Sequence, residues 1–394
     1  MRILVLLVAS LLSLPLFAQL SFNQSEIKLV HGLLQEKAPN LSLRQAQERL
    51  LENAFLFAQA KLRQPAILHK QSAVGFSSDY HTRRFALVLL KSNFDLPVIP
   101  PLDDKSFASY TSKWLLDSLP KYPSDNTYSQ QQLTRLARVD LTHLAGAPLT
   151  LATLMSEQSM QNRYQLHQGE ISLFKSLIAE HRRFNLTMHL LADKLQTQGL
   201  SKLRILEIAK AELLRPVMLT YFGVLHSMHG EHSIYVEQLQ TKITQQQIND
   251  YFRANKNDFR YIDQVRSQAV HFKAKDQATQ FYNYAKKHSF KQALNKFKLQ
   301  DLFTQTQGVV KRQKRSSWTE QLVFSLMPGT LSKPVRTPQG EWLVATTLER
   351  HYTYYQANSE TVKYQAKIAL TDALAKTEYK KLKTKWLRQH KAAL

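Results

Sequence analysis

Residues 324–340 read Phe324-Ser325-Leu326-Met327-Pro328-Gly329-Thr330-Leu331-Ser332-Lys333-Pro334-Val335-Arg336-Thr337-Pro338-Gln339-Gly340. Met327-Pro328-Gly329 is a strong turn signal, because Pro presets φ and Gly tolerates the left-handed region. Residues 343–348 are β-rich, so the stretch leads through turns into a strand. Upstream, residues 265–272 have strand character and residues 274–286 read as a helix. Downstream, residues 360–390 return to a helical pattern, with Ile368, Leu374, Tyr379, Leu382 and Trp386 on or near one face.

Before this region the pattern is mostly helical. Residues 41–62 form one amphipathic helix, with Leu43, Ala46, Leu50, Ala54 and Phe57 at three- and four-residue steps and Pro65 as its stop. Residues 64–135 are broken by Pro97, Pro100, Pro101, Pro120 and Pro123 and read as loops with one short apolar strand or helix at 85–90. Around residues 138–151, Val139, Leu141 and Leu144 alternate before a Gly146-Ala147-Pro148 turn. Long helices are predicted over 151–167, 171–197 and 201–226, the last kinked at Pro216. Thr244-Gln245-Gln246-Gln247 is a capping box opening a further helix.

The chain has 394 residues and a formal charge of +23, with 10 Gly and no Cys. Cysteine-ligated zinc and disulfide scaffolds are excluded, and neither GxGxxG nor GxxxxGK[ST] occurs. Residues 271–394 carry 23 Lys and Arg against 8 Asp and Glu, so the charge is concentrated late. Arg2 followed by the apolar run 3–17 and Ala18 reads as a signal peptide over residues 1–18; the alternative is an uncleaved inner-membrane anchor. Export to the periplasm excludes nucleic acid as the expected partner and points the charge toward polypeptides or an anionic membrane surface.

The quoted stretch resembles the C-terminal half of the parvulin (PpiC-type) peptidyl-prolyl isomerase domain. In that family a helix ending in Phe-x-Leu is followed by a Pro/Gly turn, then Ser-x-Pro-Val-x-Thr, a Gly and the last strand. The lead-in from Ile243-Thr244 through Tyr251 to Phe259 resembles that of exported foldases of the SurA, PrsA and PpiD group. Residues 139–151, with Gly146, Pro148 and Thr150, are similar to the strand-and-turn opening their chaperone domain. The resemblance implies an α+β, mostly helical fold: a helical SurA-like chaperone domain, one inserted parvulin-like α/β domain, and a C-terminal helix returning to the helical domain. The expected divisions are 1–18, 19–137 (helical and loop-rich), 138–259 (chaperone-like), 260–352 (parvulin-like) and 353–394 (returning helix).

The family's catalytic residues do not carry over intact. Counted from Val265-Arg266, its first His position is Ala269, with His271 two residues on; its second is Trp342. Counted back from Phe324, the family's Met-Gln pair becomes Arg315-Ser316 and its pocket Phe becomes Thr319, beside Trp318. Its Gly-Gly-Asp-Leu-Gly stretch is replaced by the segment 304–315, containing Lys311, Arg312, Lys314 and Arg315. The remnant substrate pocket implied is His271, Trp318, Thr319, Phe324, Thr337 and Trp342. Isomerisation must overcome an amide-resonance barrier of about 18–20 kcal/mol, which needs an apolar slot and polar groups favouring the twisted amide. Loss of catalysis is therefore expected; the alternative is an isomerase using His271 and Thr337.

His226, His229, His232 and Glu231 could bind a metal, but no second ligand pair at helical spacing accompanies them. No metal or other cofactor is expected. Trp114, Tyr122, Tyr128, Tyr352, Tyr354 and Tyr355 read either as a client groove or as ordinary packing. The function expected is a foldase or chaperone for unfolded or exported polypeptides, outer-membrane or secreted proteins among them. A dedicated secretion or envelope-assembly accessory is the alternative.

Overall fold

Side-chain caps set most helix starts in the computed structural model, which describes residues 20–69, 77–226 and 233–392. The expected leader, and His229, Glu231 and His232, lie outside the described residues. Asn23 and Glu26 form a capping box at α1 (Gln24–Gln35), and Ser42 and Gln45 form another at α2 (Leu43–Arg63). The region 64–135, expected as loops with one short apolar element at 85–90, holds α3 (Ser78–Lys91), which includes that element, and also α4 (Ser112–Ser118) and α5 (Gln130–Ala137). Ser77, Thr111 and Ser129 cap them, and the prolines all fall between them.

The expected strand-and-turn near 140 is a helical turn, α6 (Thr142–Ala145), ended by Gly146 at φ 72° and closed by a single Asp140–Thr150 bridge. Ser159 starts a new helix, so residues 151–167 divide into α7 (Leu151–Ser156) and α8 (Met160–His167). Next come α9 (Ile171–Leu190), α10 (Ala192–Thr197) and α11 (Lys202–Tyr221), which contains Pro216. Trp114 packs on Phe174 and Tyr122 on Tyr164, and Tyr122 and Tyr128 both pack on His167.

The chain divides into two compact units, Leu239–Ala373 and the remainder, to which Leu374–Leu394 returns. The helical unit has a core of Leu29, Val30, Leu50, Leu89 and Ile205, and another around Leu115, Leu154 and Phe174. A third joins Phe55, Leu214, Met218 and Phe222 to Tyr379, Leu382 and Trp386. The C-terminal helix thus returns to the helical domain.

α12 (Ile234–Gln240) spans the division, and α13 (Gln245–Ala254) opens with the expected Thr244–Gln247 capping box. β1 (Arg260–Phe272) precedes α14 (Lys275–Lys287) and α15 (Phe290–Phe297). β2 (Val309–Lys311), α16 (Trp318–Ser325), β3 (Thr330–Leu331), β4 (Val335–Arg336) and β5 (Trp342–Tyr354) follow, then α17 (Glu360–Gln389). The sheet is antiparallel, ordered β2-β1-β5-β3, with β4 also on β5. Side chains alternate between its faces. Val270, Phe272 and Val344 pack with α14 and α15 on one; Val265, Ala269, Leu343 and Ala345 pack with α16 on the other. Among the described residues no helix is long and apolar enough to cross a membrane.

Candidate functional site

The α16 face of the sheet gathers most of the expected pocket. Ser317 and Glu320 cap the start of α16 reciprocally. At its end the Arg350 guanidinium donates to the carbonyls of Phe324, Ser325 and Leu326 at 3.3, 3.0 and 2.7 Å. Thr347 donates to the Val323 carbonyl at 2.6 Å. Both ends of the helix are therefore fixed, which holds Trp318, Leu322 and Phe324 against the sheet.

His271 lies on β1 opposite Leu343. Its Nε2 is 3.2 Å from the Thr319 hydroxyl, and its Nδ1 is 3.1 Å from a Glu341 carboxylate oxygen. A carboxylate only accepts, so the facing Nδ1 carries a proton; in the neutral ring Nε2 then accepts from Thr319. The Thr337 backbone N–H donates to the Glu341 carbonyl at 2.8 Å, closing the turn whose Gly340 has φ 89°. Thr337, Glu341, His271 and Thr319 thus form one connected chain. The Thr337 hydroxyl is buried and has no hydrogen-bond partner among the described residues.

Two expected pocket members behave differently. Trp342 pairs with Phe272 and packs on the α14 side, with the Lys275 ammonium 5.4 Å from its ring centre. It does not meet His271 or Thr319, because neighbouring strand residues face opposite ways. Phe324 is on the α16 side, but Arg312 lies 5.2 Å over its ring while donating to the Ile262 carbonyl at 2.9 Å. Ala269, at the first family His position, is fully buried opposite Ala345.

Two residues escaped sequence reasoning. Glu341 was signalled only by being the carboxylate next to Gly340. Asp301 accepts from the backbone N–H groups of Ala269 and Phe303 at 3.0 and 3.1 Å, while Leu302 N–H donates to the Ala269 carbonyl at 2.9 Å. Asp301-Leu302 is the sole Asp-Leu pair between 243 and 363, and it stands just ahead of the segment taken to replace Gly-Gly-Asp-Leu-Gly. Among the described residues no group of acidic, His or Cys side chains could hold a metal.

No curated protein matches the chain. Among solved structures, a peptidylprolyl isomerase (PrsA) from Bacillus anthracis is 14% identical, with 52% of this chain and 83% of that one covered and a TM-score of 0.21. The SurA-like chaperones PEB4 and Cj1289 of Campylobacter jejuni are represented at 15% identity, 69% and 97% coverage and a TM-score of 0.22. Foldase protein PrsA from Streptococcus pneumoniae gives 13%, 65% and 95%, and 0.21. The family model of the PPIC-type PPIase domain matches residues 243–363, which contain the whole sheet, α16 and the Thr319–His271–Glu341 chain. By that match the chain carries a domain of the parvulin-type, PPIC-type PPIase family.

Proposed function

We propose that the protein is an exported foldase or chaperone that binds unfolded or exported polypeptides, and that its parvulin-type module has lost rapid prolyl isomerisation. The observation that carries this reading is Ala269, fully buried opposite Ala345 where the family places a His. A methyl group there can neither donate to nor accept from a twisted amide, so the polar contribution to the transition state is missing. The other family His position holds Trp342, which faces the α14 side. What remains on the α16 side can still bind a chain: the partly buried Trp318 and Phe324, and the unpartnered Thr337 hydroxyl.

Periplasmic location rests on the signal-like residues 1–18, and an anionic membrane surface is a further partner suggested by the basic C-terminal third. The division into helical parts 19–137 and 138–259, a parvulin-like module 260–352 and a returning helix 353–394 belongs to the same proposal. A second reading is favoured by one observation: the Thr319–His271–Glu341 chain supplies an oriented imidazole beside the slot. A protease-free assay on a proline peptide separates the two. The expected result is no acceleration above the uncatalysed rate at micromolar protein, with suppressed aggregation of an unfolded client at the same concentration. Turnover like that of an intact parvulin, abolished by His271→Ala, would establish the second reading.

A further inference from the structure

α3, α9 and α11 enclose a cleft of about 490 Å3 in the helical unit. Its apolar lining includes Phe85, Leu96, Phe184 and Leu213, of which Phe184 is buried. Its rim carries Arg84, Lys91 and Arg183 against a single carboxylate, Glu180. Arg84 donates to the Tyr80 hydroxyl at 2.9 Å, a neutral partner. Lys91 and Arg183 are exposed and form no ion pair among the described residues. His81 adds little charge, since burial and then Arg84 lower its pKa.

A neighbouring cleft of about 420 Å3 shares Arg83 and Phe184 but differs in charge. There Lys210 lies 3.3 Å from Asp79, and Arg83 and His181 both bind the buried Glu157. Its cations are largely neutralised from within; those of the first cleft are not. Uncompensated cations around an apolar floor select a ligand that is apolar and anionic at adjacent positions.

Building on the polypeptide-binding reading, we propose that this first cleft takes a polypeptide segment in which an aliphatic or aromatic residue stands beside Asp or Glu. The apolar side chain occupies the Phe85–Leu96–Leu213 floor, and the carboxylate meets Arg183 and Lys91. The volume suits one large side chain with its neighbours, within the roughly 300–1,000 Å3 of small-ligand pockets.

The test uses the full chain and fluorescein-labelled dodecapeptides differing only by a central Phe-Glu or Phe-Gln pair, followed by anisotropy at low salt. The Phe-Glu peptide should bind about fivefold tighter, as two exposed charge pairs of about 0.5 kcal/mol each would give. Arg183→Gln with Lys91→Gln, both on exposed positions, should erase that advantage and leave the Phe-Gln peptide unchanged. Lys314→Gln with Arg315→Gln, in the other unit, should preserve it. Equal binding of the two peptides, or an advantage that survives in the Arg183/Lys91 variant, overturns the cleft proposal and leaves the foldase reading standing. Laurate binding lost in that variant while peptide binding persists assigns the cleft to lipid and overturns it too. Failure to bind any peptide overturns both readings.

Discussion

Glu52 holds three cationic or hydroxyl groups from two other helices, and its removal has a calculable effect. One carboxylate oxygen accepts from the Tyr379 hydroxyl at 2.7 Å and the Lys383 ammonium at 2.8 Å, both on α17. The other lies 2.5 Å from the Arg215 guanidinium on α11. Burial would raise the pKa of this side chain, which is 15% exposed, but hydrogen bonds from Lys383 and Tyr379 and the charge of Arg215 hold it at about 2 against the ordinary 4.5. At about 1.36 kcal/mol per pH unit of difference, that amounts to about 3 kcal/mol. The folded value lies below the unfolded one, so this stability is complete above about pH 4.5 and disappears as the pH falls through about 2. Glu52→Gln keeps the side chain's size and deletes its charge. Urea unfolding of the helical unit, followed by far-UV circular dichroism, should show a loss of about 3 kcal/mol at pH 7 that shrinks as the pH approaches 2. A loss under about 0.5 kcal/mol at pH 7, or an equal deficit at both pH values, would refute the reasoning.

Asp301→Ala should destabilise the parvulin-type unit by about 1–3 kcal/mol, because the N–H of the fully buried Ala269 loses its acceptor; unchanged thermal unfolding of that unit would contradict this. Neutralising the exposed Lys311, Lys314 and Arg315 to Gln should reduce binding to anionic vesicles at low salt and have little effect at high salt, where the Debye length is short. Arg312 is left out of that variant because its guanidinium supports the Ile262 carbonyl. Vesicle binding that is indifferent to salt would show the charge to be merely solvating.

Local signals were readable where a few adjacent residues decide the structure. Thr244 and Gln247 cap a helix through their own side chains, and Met327-Pro328-Gly329 turns where the composition says it must. Of the helices between 78 and 137, only the 85–90 part of α3 left an apolar run to read; α4 and α5 were missed because each is short and is held by packing: Leu115 and Leu136 are fully buried in a core with Phe174, and no long period records that. The site was legible by counting from fixed points: Ala269 follows from Val265-Arg266, and Thr319 from Phe324. The count could not say that Trp342 faces away from His271, which depends on the register His271–Leu343 and Phe272–Trp342. Nor could it find the His271–Glu341 contact, made between residues far apart in sequence, one on β1 and the other just ahead of β5. Asp301 was overlooked because counting backward through a glycine-poor loop displaced the Asp-Leu pair.

The aromatic cluster around Phe55 has a consequence for the order in which the molecule can be finished. Phe55 and Phe222 stand 6.1 Å apart, and Tyr379 and Trp386 complete their surroundings at 5.7 and 5.8 Å from Phe55. Those last two residues follow the entire Leu239–Ala373 unit in sequence. A chain emerging N-terminus first therefore presents Phe55 and Phe222 without their partners until the intervening unit has been threaded out. Pairings so distant in sequence form late and slowly, since loop closure precedes the contacts that reward it. During that interval the nascent helical unit exposes the aromatic surface of Phe55 and Phe222, which only the last turns of α17 then cover.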